Sequence, residues 1–301
     1  MDPATVLVIG NFDGVHLGHR EVLRAARRLE PDAQLVAVTF WPHPVSVVRP
    51  GLEPKLLTDL EHRVELLRAA GADAVEVITF DKELAGTPPE EFLRRCIAPL
   101  NPVRVVVGEN FRFGHRAAGT VDTLRTFGRD RFEVTALHLL VTEHTTTCST
   151  EIRRLLADGD VSAAAHHLGR LFRFSGTVVV GHSRGREFGF PTANLPVPVE
   201  FAVPADGVYA GWLRVAGDSA APWPAAISVG TNPTFDDVPA TVVEAHALDR
   251  DDLELYGRRV DVDFAERLRG NVKFDGVETL IEKIADDVIR TRAVLGLPPA
   301  T

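Results

Sequence analysis

The chain changes rhythm near residue 170, and that change limits its fold more than any other feature. Before it, short β-rich runs at 6–9, 34–40, 74–79 and 103–107 alternate with helical patterns at 18–29, 61–70 and 89–97. Strands recurring with helices between them predict βαβ units around a mainly parallel sheet, an α/β layout whose ligands bind beyond the carboxyl ends of the strands. A helical stretch at 152–156, a turn at Asp158-Gly159-Asp160 and a helix at 161–168 lead out of this half. From Phe172 the pattern is different. Runs at 176–180, 207–215, 225–229, 242–248 and 259–264 stand between Gly/Pro-rich loops, as in an antiparallel β-barrel, and an amphipathic helix at 278–295 follows. Two domains are expected, 1–169 and 170–301.

Composition narrows the partners. With 45% hydrophobic and 25% charged residues, the 301-residue chain has ample material for packed cores and too much apolar content for disorder. A formal charge of −9 argues against affinity drawn from nucleic-acid phosphates, so small molecules are the expected ligands. Cys96 and Cys148 lie far apart and outside any CxxC pattern, which disfavours a disulfide framework or a cysteine zinc site and fits a reducing cytoplasm. Met1-Asp2-Pro3-Ala4-Thr5 lacks a basic leader, and no apolar stretch approaches the roughly 18 residues that span a bilayer. A cytoplasmic protein without membrane or nucleic-acid partners is expected. Protein partners, self-association included, stay open.

Gly10-Asn11-Phe12-Asp13-Gly14-Val15-His16-Leu17-Gly18-His19 lies where the first strand gives way to the first helix. That is the ligand edge of a parallel sheet, and free N–H groups at a helix start favour phosphate. His16 and His19, three apart, can project to one side and donate hydrogen bonds to an α-phosphate during nucleotidyl transfer. Capping and turn roles would account for the same residues, and a lone HxxH could be a metal pair, although no convincing third ligand is evident. The whole string resembles the HxGH signature of nucleotidylyltransferases, in the GxFDGxHxGH form of bacterial FMN adenylyltransferases, also called FAD synthetases. Thr39-Phe40-Trp41-Pro42-His43-Pro44, Gly108-Glu109-Asn110-Phe111-Arg112-Phe113-Gly114 and Ser149-Thr150-Glu151-Ile152-Arg153 resemble that family's TFxPHP, GxxFRFG and SSTxIR segments in the same order.

The resemblance implies a Rossmann-like adenylyltransferase domain in which His16 and His19 are catalytic. Gly10, Phe12, Gly14, Gly18, Ser149, Thr150 and Arg153 would bind ATP, and Asn110, Phe111 and Arg112 the flavin. Two positions depart from the family pattern. Cys148 replaces the first serine of the third segment, and Thr120 stands where an aspartate is frequent.

Gly181-His182-Ser183-Arg184-Gly185 matches the GxSxG elbow of α/β-hydrolases, but Arg186 to Pro198 is too rich in glycine and proline for the helix that an elbow requires. With Gly189-Phe190-Pro191-Thr192-Ala193-Asn194-Leu195 the loop instead resembles the riboflavin kinase signature. Gly181, Gly185 and Gly189 suit a backbone cradle for the phosphates of ATP, and Thr192 and Asn194 offer oxygen to ATP and to a hard cation, here Mg²⁺. The lysines, Lys55, Lys82, Lys273 and Lys283, lie outside any Walker-type GxxxxGK[ST] context. Asp206-Gly207-Val208-Tyr209-Ala210 and Ser228-Val229-Gly230-Thr231-Asn232-Pro233-Thr234-Phe235 resemble further kinase segments. Val243-Glu244-Ala245-His246 matches the strand that carries the family's catalytic glutamate. A carboxylate is the expected base for a ribityl hydroxyl, so Glu244 is the catalytic candidate; His246 shares its strand face and is given no role.

The resemblance covers nearly the whole chain and implies a bifunctional enzyme of FAD biosynthesis: riboflavin plus ATP to FMN plus ADP, then FMN plus ATP to FAD plus pyrophosphate. The alternatives are a paralogue with one activity, or one acting on a flavin analogue, motivated by Cys148 and Thr120, and a flavin-binding regulatory protein.

Overall fold

The computed structural model describes residues 4–138, 141–142, 145–180, 190–233, 239–272 and 276–299. They fall into two compact units, Met1–Ser149 and Thr150–Thr301.

The first unit is built on a five-stranded parallel sheet of order β3-β2-β1-β4-β5. Its strands are β1 (Thr5–Ile9), β2 (Gln34–Trp41), β3 (Ala74–Thr79), β4 (Pro102–Gly108) and β5 (Glu133–Leu137). Every residue of the central strand Thr-Val-Leu-Val-Ile is buried, as a strand covered on both faces requires. Alternation divides it between two cores. Leu7 and Ile9 join Val36, Val38, Val105 and Val107 on one side, while Val6 and Val8 join Leu35, Ala37 and Val106 on the other. Helices α1 (Leu17–Leu29) and α3 (Leu60–Ala69) supply Leu23, Ala26 and Leu67 to the second core. The chain passes from β1 to β2 on one side and returns through β4 on the other, so the loop after β1 sits at the switch point of the sheet.

Between these elements lie the short helices α2 (Pro44–Val48), α4 (Lys82–Ala85) and α5 (Pro89–Phe92). The stretch expected as one helix over 89–97 is α5 followed by a π-turn at Leu93–Ile97. Helix α6 (Val121–Gly128) begins at Thr120, whose hydroxyl accepts from the Thr123 amide while Thr123 Oγ1 accepts from the Thr120 amide. Threonine and aspartate cap helices in the same way, which explains how Thr120 can stand where an aspartate is frequent. The small ribbon β6 (Val141–Thr142) and β7 (Thr145–Thr146) precedes α7 (Ser149–Asp158), which starts before the helix expected at 152–156.

After α7, the second unit continues with α8 (Val161–Leu168) and an antiparallel sheet of order β8-β13-β10-β11-β12-β9. The strands are β8 (Phe172–Thr177), β9 (Ala193–Pro196), β10 (Gly207–Val215), β11 (Trp223–Pro233), β12 (Pro239–Ala247) and β13 (Arg259–Arg269). A backbone bridge from Val179 N to Asn194 O, 2.9 Å, joins the two edges into a nearly closed barrel. The strand expected at 176–180 lies earlier, because Phe172 and Phe174 supply the buried alternation and Val179 and Val180 are exposed. Along β12, Val243, Ala245 and Ala247 are buried while Glu244 and His246 are only half-buried on the opposite face, the period-two division of a barrel wall. Helix α9 (Val277–Val294) packs on that outer face, with Val294 and Leu295 against Val208, Ala210 and Leu268.

Gly211 on β10 shows how closely the strands approach. A Cβ there would fall 2.0 Å from the Asp263 carbonyl oxygen and 2.6 Å from Ile227 Cδ1. Gly211→Ala is therefore expected to destabilise the second unit by about 1–3 kcal/mol through overpacking, read as a lower melting temperature in calorimetry. An unchanged melting temperature would contradict this packing.

Candidate functional site

The Gly10–His19 loop is held in a conformation that few sequences tolerate. Phe12, Gly14 and Val15 have φ of 51°, 85° and 37°, left-handed values that only glycine adopts without strain. A buried ion pair holds them there. The Asp13 carboxylate accepts from the amides of Leu57 (3.0 Å) and Thr58 (3.1 Å), from Thr58 Oγ1 (3.2 Å) and from Arg63 Nη2 (3.3 Å). The wholly buried Arg63 also donates from Nη1 to the carbonyls of Asn11 (3.1 Å) and Phe40 (3.4 Å) and packs over the Trp41 ring. Gly14 N donates to Thr58 Oγ1, and Ser149 Oγ donates 2.8 Å to the Asp13 carbonyl. The third sequence segment thus begins against the first.

His16 is the N-cap of α1, its Nδ1 accepting from the His19 amide at 3.3 Å. The His16 and His19 rings stack with centroids 3.6 Å apart, and Phe12 meets His19 edge-on. Gly10 and Gly18 leave room for these rings: a Cβ on Gly10 would lie 3.1 Å from Phe12, and one on Gly18 would lie 3.1 Å from His16. What approaches these glycines closely is the protein's own rings. Burial, then the nearby His16 and Arg63 charges, holds His19 well below the ordinary histidine range, and its Nδ1 has no hydrogen-bond partner among the described residues. A neutral imidazole of this kind can donate a hydrogen bond without carrying charge into the site.

Phe111 stacks on the buried Phe113 at the end of β4, with Asn110 and Arg112 exposed beside it. Cys148 is half-buried and free just ahead of α7. Thr150 is exposed and Arg153 half-buried on α7.

In the second unit, Ser228, Glu244 and Asn194 lie in one cross-strand row, because β11, β12 and β9 pair Ser228 with Glu244 and Glu244 with Asn194. The outer face of this wall, beneath α9, borders a cavity of about 270 Å³ lined by Ser228, Glu244, His246, Asn271, Leu280 and Ile284 among others. A smaller cavity of about 70 Å³ is lined by Asn194, Ala245, Leu255 and Tyr256 among others. Thr192 lines both. Asn194 Nδ2 donates to the Thr192 carbonyl and hydroxyl, each at 3.2 Å. Gly181, Gly185 and Gly189 lie outside the described residues. Beyond them Phe190 to Asn194 is loop and then strand, not the helix of a hydrolase elbow.

Among the described residues no three His, Cys, Asp or Glu side chains group as a metal cage. A hydroxyl, an amide oxygen and a carboxylate on one wall nevertheless suit Mg²⁺, which keeps waters and substrate phosphates as most of its ligands.

Sequence reasoning missed Arg63, although a signal existed: it falls on the Leu60/Arg63/Leu67 stripe, three and seven residues along the apolar side of α3. It also gave no role to Asp13, or to the Arg269–Asp287 pair, which borders the larger cavity with Arg269 Nη2 2.6 Å from Asp287 Oδ2.

Comparison with known proteins covers both units. The family model for FAD synthetase matches residues 1–151, and that for riboflavin kinase matches residues 168–295. A bifunctional riboflavin kinase/FMN adenylyltransferase of Listeria monocytogenes is 35% identical over 96% of this chain and 91% of its own. Its namesake from Escherichia coli K12 is 32% identical over 97% and 93%. A solved structure described as a macrolide-efflux protein from Streptococcus pneumoniae superposes with a TM-score of 0.83 at 30% identity, covering 97% of this chain and 95% of its own.

Two outcomes follow from this geometry. Arg63→Met strands a buried carboxylate and is expected to cost about 3–5 kcal/mol in urea unfolding; adding Asp13→Asn should recover part of that loss, and strict additivity would refute the coupling. His19, neutral when folded, titrates near 6.5 when unfolded. Below that pH the unfolded chain binds the extra proton, so stability falls as pH drops toward the folded value, and His19→Gln should flatten that part of the profile.

Proposed function

We propose that this chain, which belongs to the family of bifunctional riboflavin kinase/FMN adenylyltransferases, phosphorylates riboflavin to FMN with its second unit and adenylylates FMN to FAD with its first. The observation that carries the kinase assignment is the cross-strand row Ser228–Glu244–Asn194, in which Ser228 and Glu244 line a cavity on the outer barrel face and Asn194 lines a second cavity, with Thr192 lining both. Riboflavin would occupy the larger, mainly apolar-lined cavity and ATP the smaller one. Glu244 accepts the proton of the terminal ribityl hydroxyl as its oxygen attacks the γ-phosphorus, and the bond from that phosphorus to ADP breaks. Thr192 and Asn194 would hold Mg²⁺, which when bound supplies positive charge against the phosphate oxygens.

In the domain taken as 1–169 an FMN phosphate oxygen attacks the α-phosphorus of ATP and pyrophosphate leaves. His16 and His19 donate hydrogen bonds to the α-phosphate, whose charge builds as the new bond forms. Ser149, Thr150 and Arg153 hold the triphosphate, while Asn110, Phe111 and Arg112 contact the flavin. Arg63 and Asp13 keep the histidine loop in shape. The domains are taken as 1–169 and 170–301. Among the described residues no helix is long and apolar enough to cross a membrane, and both cysteines are free; we assign the reactions to the cytoplasm, with no nucleic-acid partner.

The test is a time course with riboflavin, ATP and Mg²⁺, resolving FMN from FAD by chromatography. Glu244→Gln should lower FMN formation by about 10²–10⁴ while conversion of supplied FMN to FAD persists. His16→Ala and His19→Ala should show the reverse pattern. A Glu244→Gln protein that phosphorylates riboflavin at the parental rate would remove Glu244 as the base, and parallel loss of both activities in well-folded histidine variants would point to one shared site.

A further inference from the structure

His246 stands two residues beyond Glu244 on β12, so both side chains leave the outer face of the strand and line the same cavity. Its Nδ1 lies 2.9 Å from the carbonyl oxygen of Pro191, and Phe190 meets the ring edge-on at 5.4 Å. A carbonyl oxygen only accepts, so Nδ1 carries the proton. Burial pushes the imidazole's pKa down, which keeps the ring neutral and leaves Nε2 unprotonated.

The segment that His246 holds is the one that needs holding. Phe190, Pro191 and Thr192 precede β9 and belong to no strand or helix, and Pro191 has no N–H with which to join a ladder. Thr192 lines both cavities and is tied to Asn194, which stands opposite Glu244 in the strand register. Contacts therefore run in a ring: Glu244 and His246 on one strand, Pro191, Thr192 and Asn194 on the facing segment.

We propose that His246 is a positioning residue for phosphoryl transfer, its Nδ1–H holding Pro191 so that Thr192, at the partition of the two cavities, keeps its place relative to Glu244. The inference rests on the kinase reading of the second unit and adds a residue that acts through another. A displacement of about 1 Å at such a site can cost about 10²-fold in rate.

Two substitutions separate the ring nitrogens, since an asparagine amide reaches about where Nδ1 sits and a glutamine amide about where Nε2 sits. His246→Asn should keep kcat for FMN formation within about threefold of the parent, whereas His246→Gln and His246→Leu should lose about 10–100-fold. Conversion of supplied FMN to FAD should be unchanged in all three. Independently of turnover, two-bond ¹H–¹⁵N spectra of histidine-labelled protein should show His246 as the neutral Nδ1–H tautomer. An Nε2–H tautomer overturns the inference. So does a His246→Gln protein as active as His246→Asn, or equal losses in all three variants with melting temperatures lowered in parallel. A parent that makes no FMN overturns the kinase reading and this inference with it; a parent that makes FMN confines any failure to His246.

Discussion

Arg63 and Asp13 form an ion pair with almost no contact with water, and the geometry of the first unit depends on it. Removing two charges from water costs several kcal/mol per ion, so the pair by itself is weak support for the fold. Its worth lies in what the remaining lone pairs and protons do. The carboxylate gathers the amides of Leu57 and Thr58, and the guanidinium reaches the carbonyls of Asn11 and Phe40, so segments from β1, β2 and the approach to α3 converge on one point. That convergence offsets left-handed conformations at Phe12 and Val15, which cost on the order of 1–3 kcal/mol each. The His16–His19 stack begins just beyond that turn, and the Arg63 charge also helps to keep His19 neutral.

On the proposed reading the two units would meet phosphate in different ways. In the first, phosphate would meet imidazole N–H groups at a helix start, where partial positive charge is fixed by the backbone. In the second, side chains on one strand row supply oxygen, which attracts phosphate only through a cation or through the proton of a hydroxyl nucleophile. An N–H site suits a reaction that stabilises charge on the phosphate under attack. An oxygen site with a carboxylate suits one that must also remove a proton from an alcohol. The division of labour proposed for His16/His19 and Glu244 accords with that chemistry.

Much of this was legible in the sequence, and the failures are instructive. Strands such as Ala74–Thr79 and Gly207–Val215 stand where their β-rich runs end, because burial on one or both faces leaves a periodic trace. β9 left none: four residues, Ala-Asn-Leu-Pro, carry too little alternation to be seen, and its place is set by pairing with β12. β8 was displaced because Val178, Val179 and Val180 have strong β propensity, yet the buried alternation lies at Phe172 and Phe174. The site motifs were visible as strings, but their support was not. The stripe position of Arg63 hints at an inward side chain, but the residue type favours a head reaching for solvent, and it is the tertiary partner Asp13, 50 residues away, that decides for burial.

The barrel gives a reason for the proposed chemistry to gather at its seam. In a nearly closed antiparallel wall, alternation makes one face apolar within and the other polar without, so a wall one strand thick can carry different cavities on its two sides. Reactants held in those cavities, as proposed, would meet where the wall is interrupted. The interruption is at β9, which is short, pairs with β12 along one side and, among the described residues, is bridged on the other by the backbone of Val179 beyond β8. Just ahead of β9 the ladder ends, and Thr192 lines both cavities. Thr192 stands outside the strand ladder, and among the described residues side chains reach this segment from both sides: Asn194 from within β9 and, at Pro191, His246 from the strand that carries Glu244.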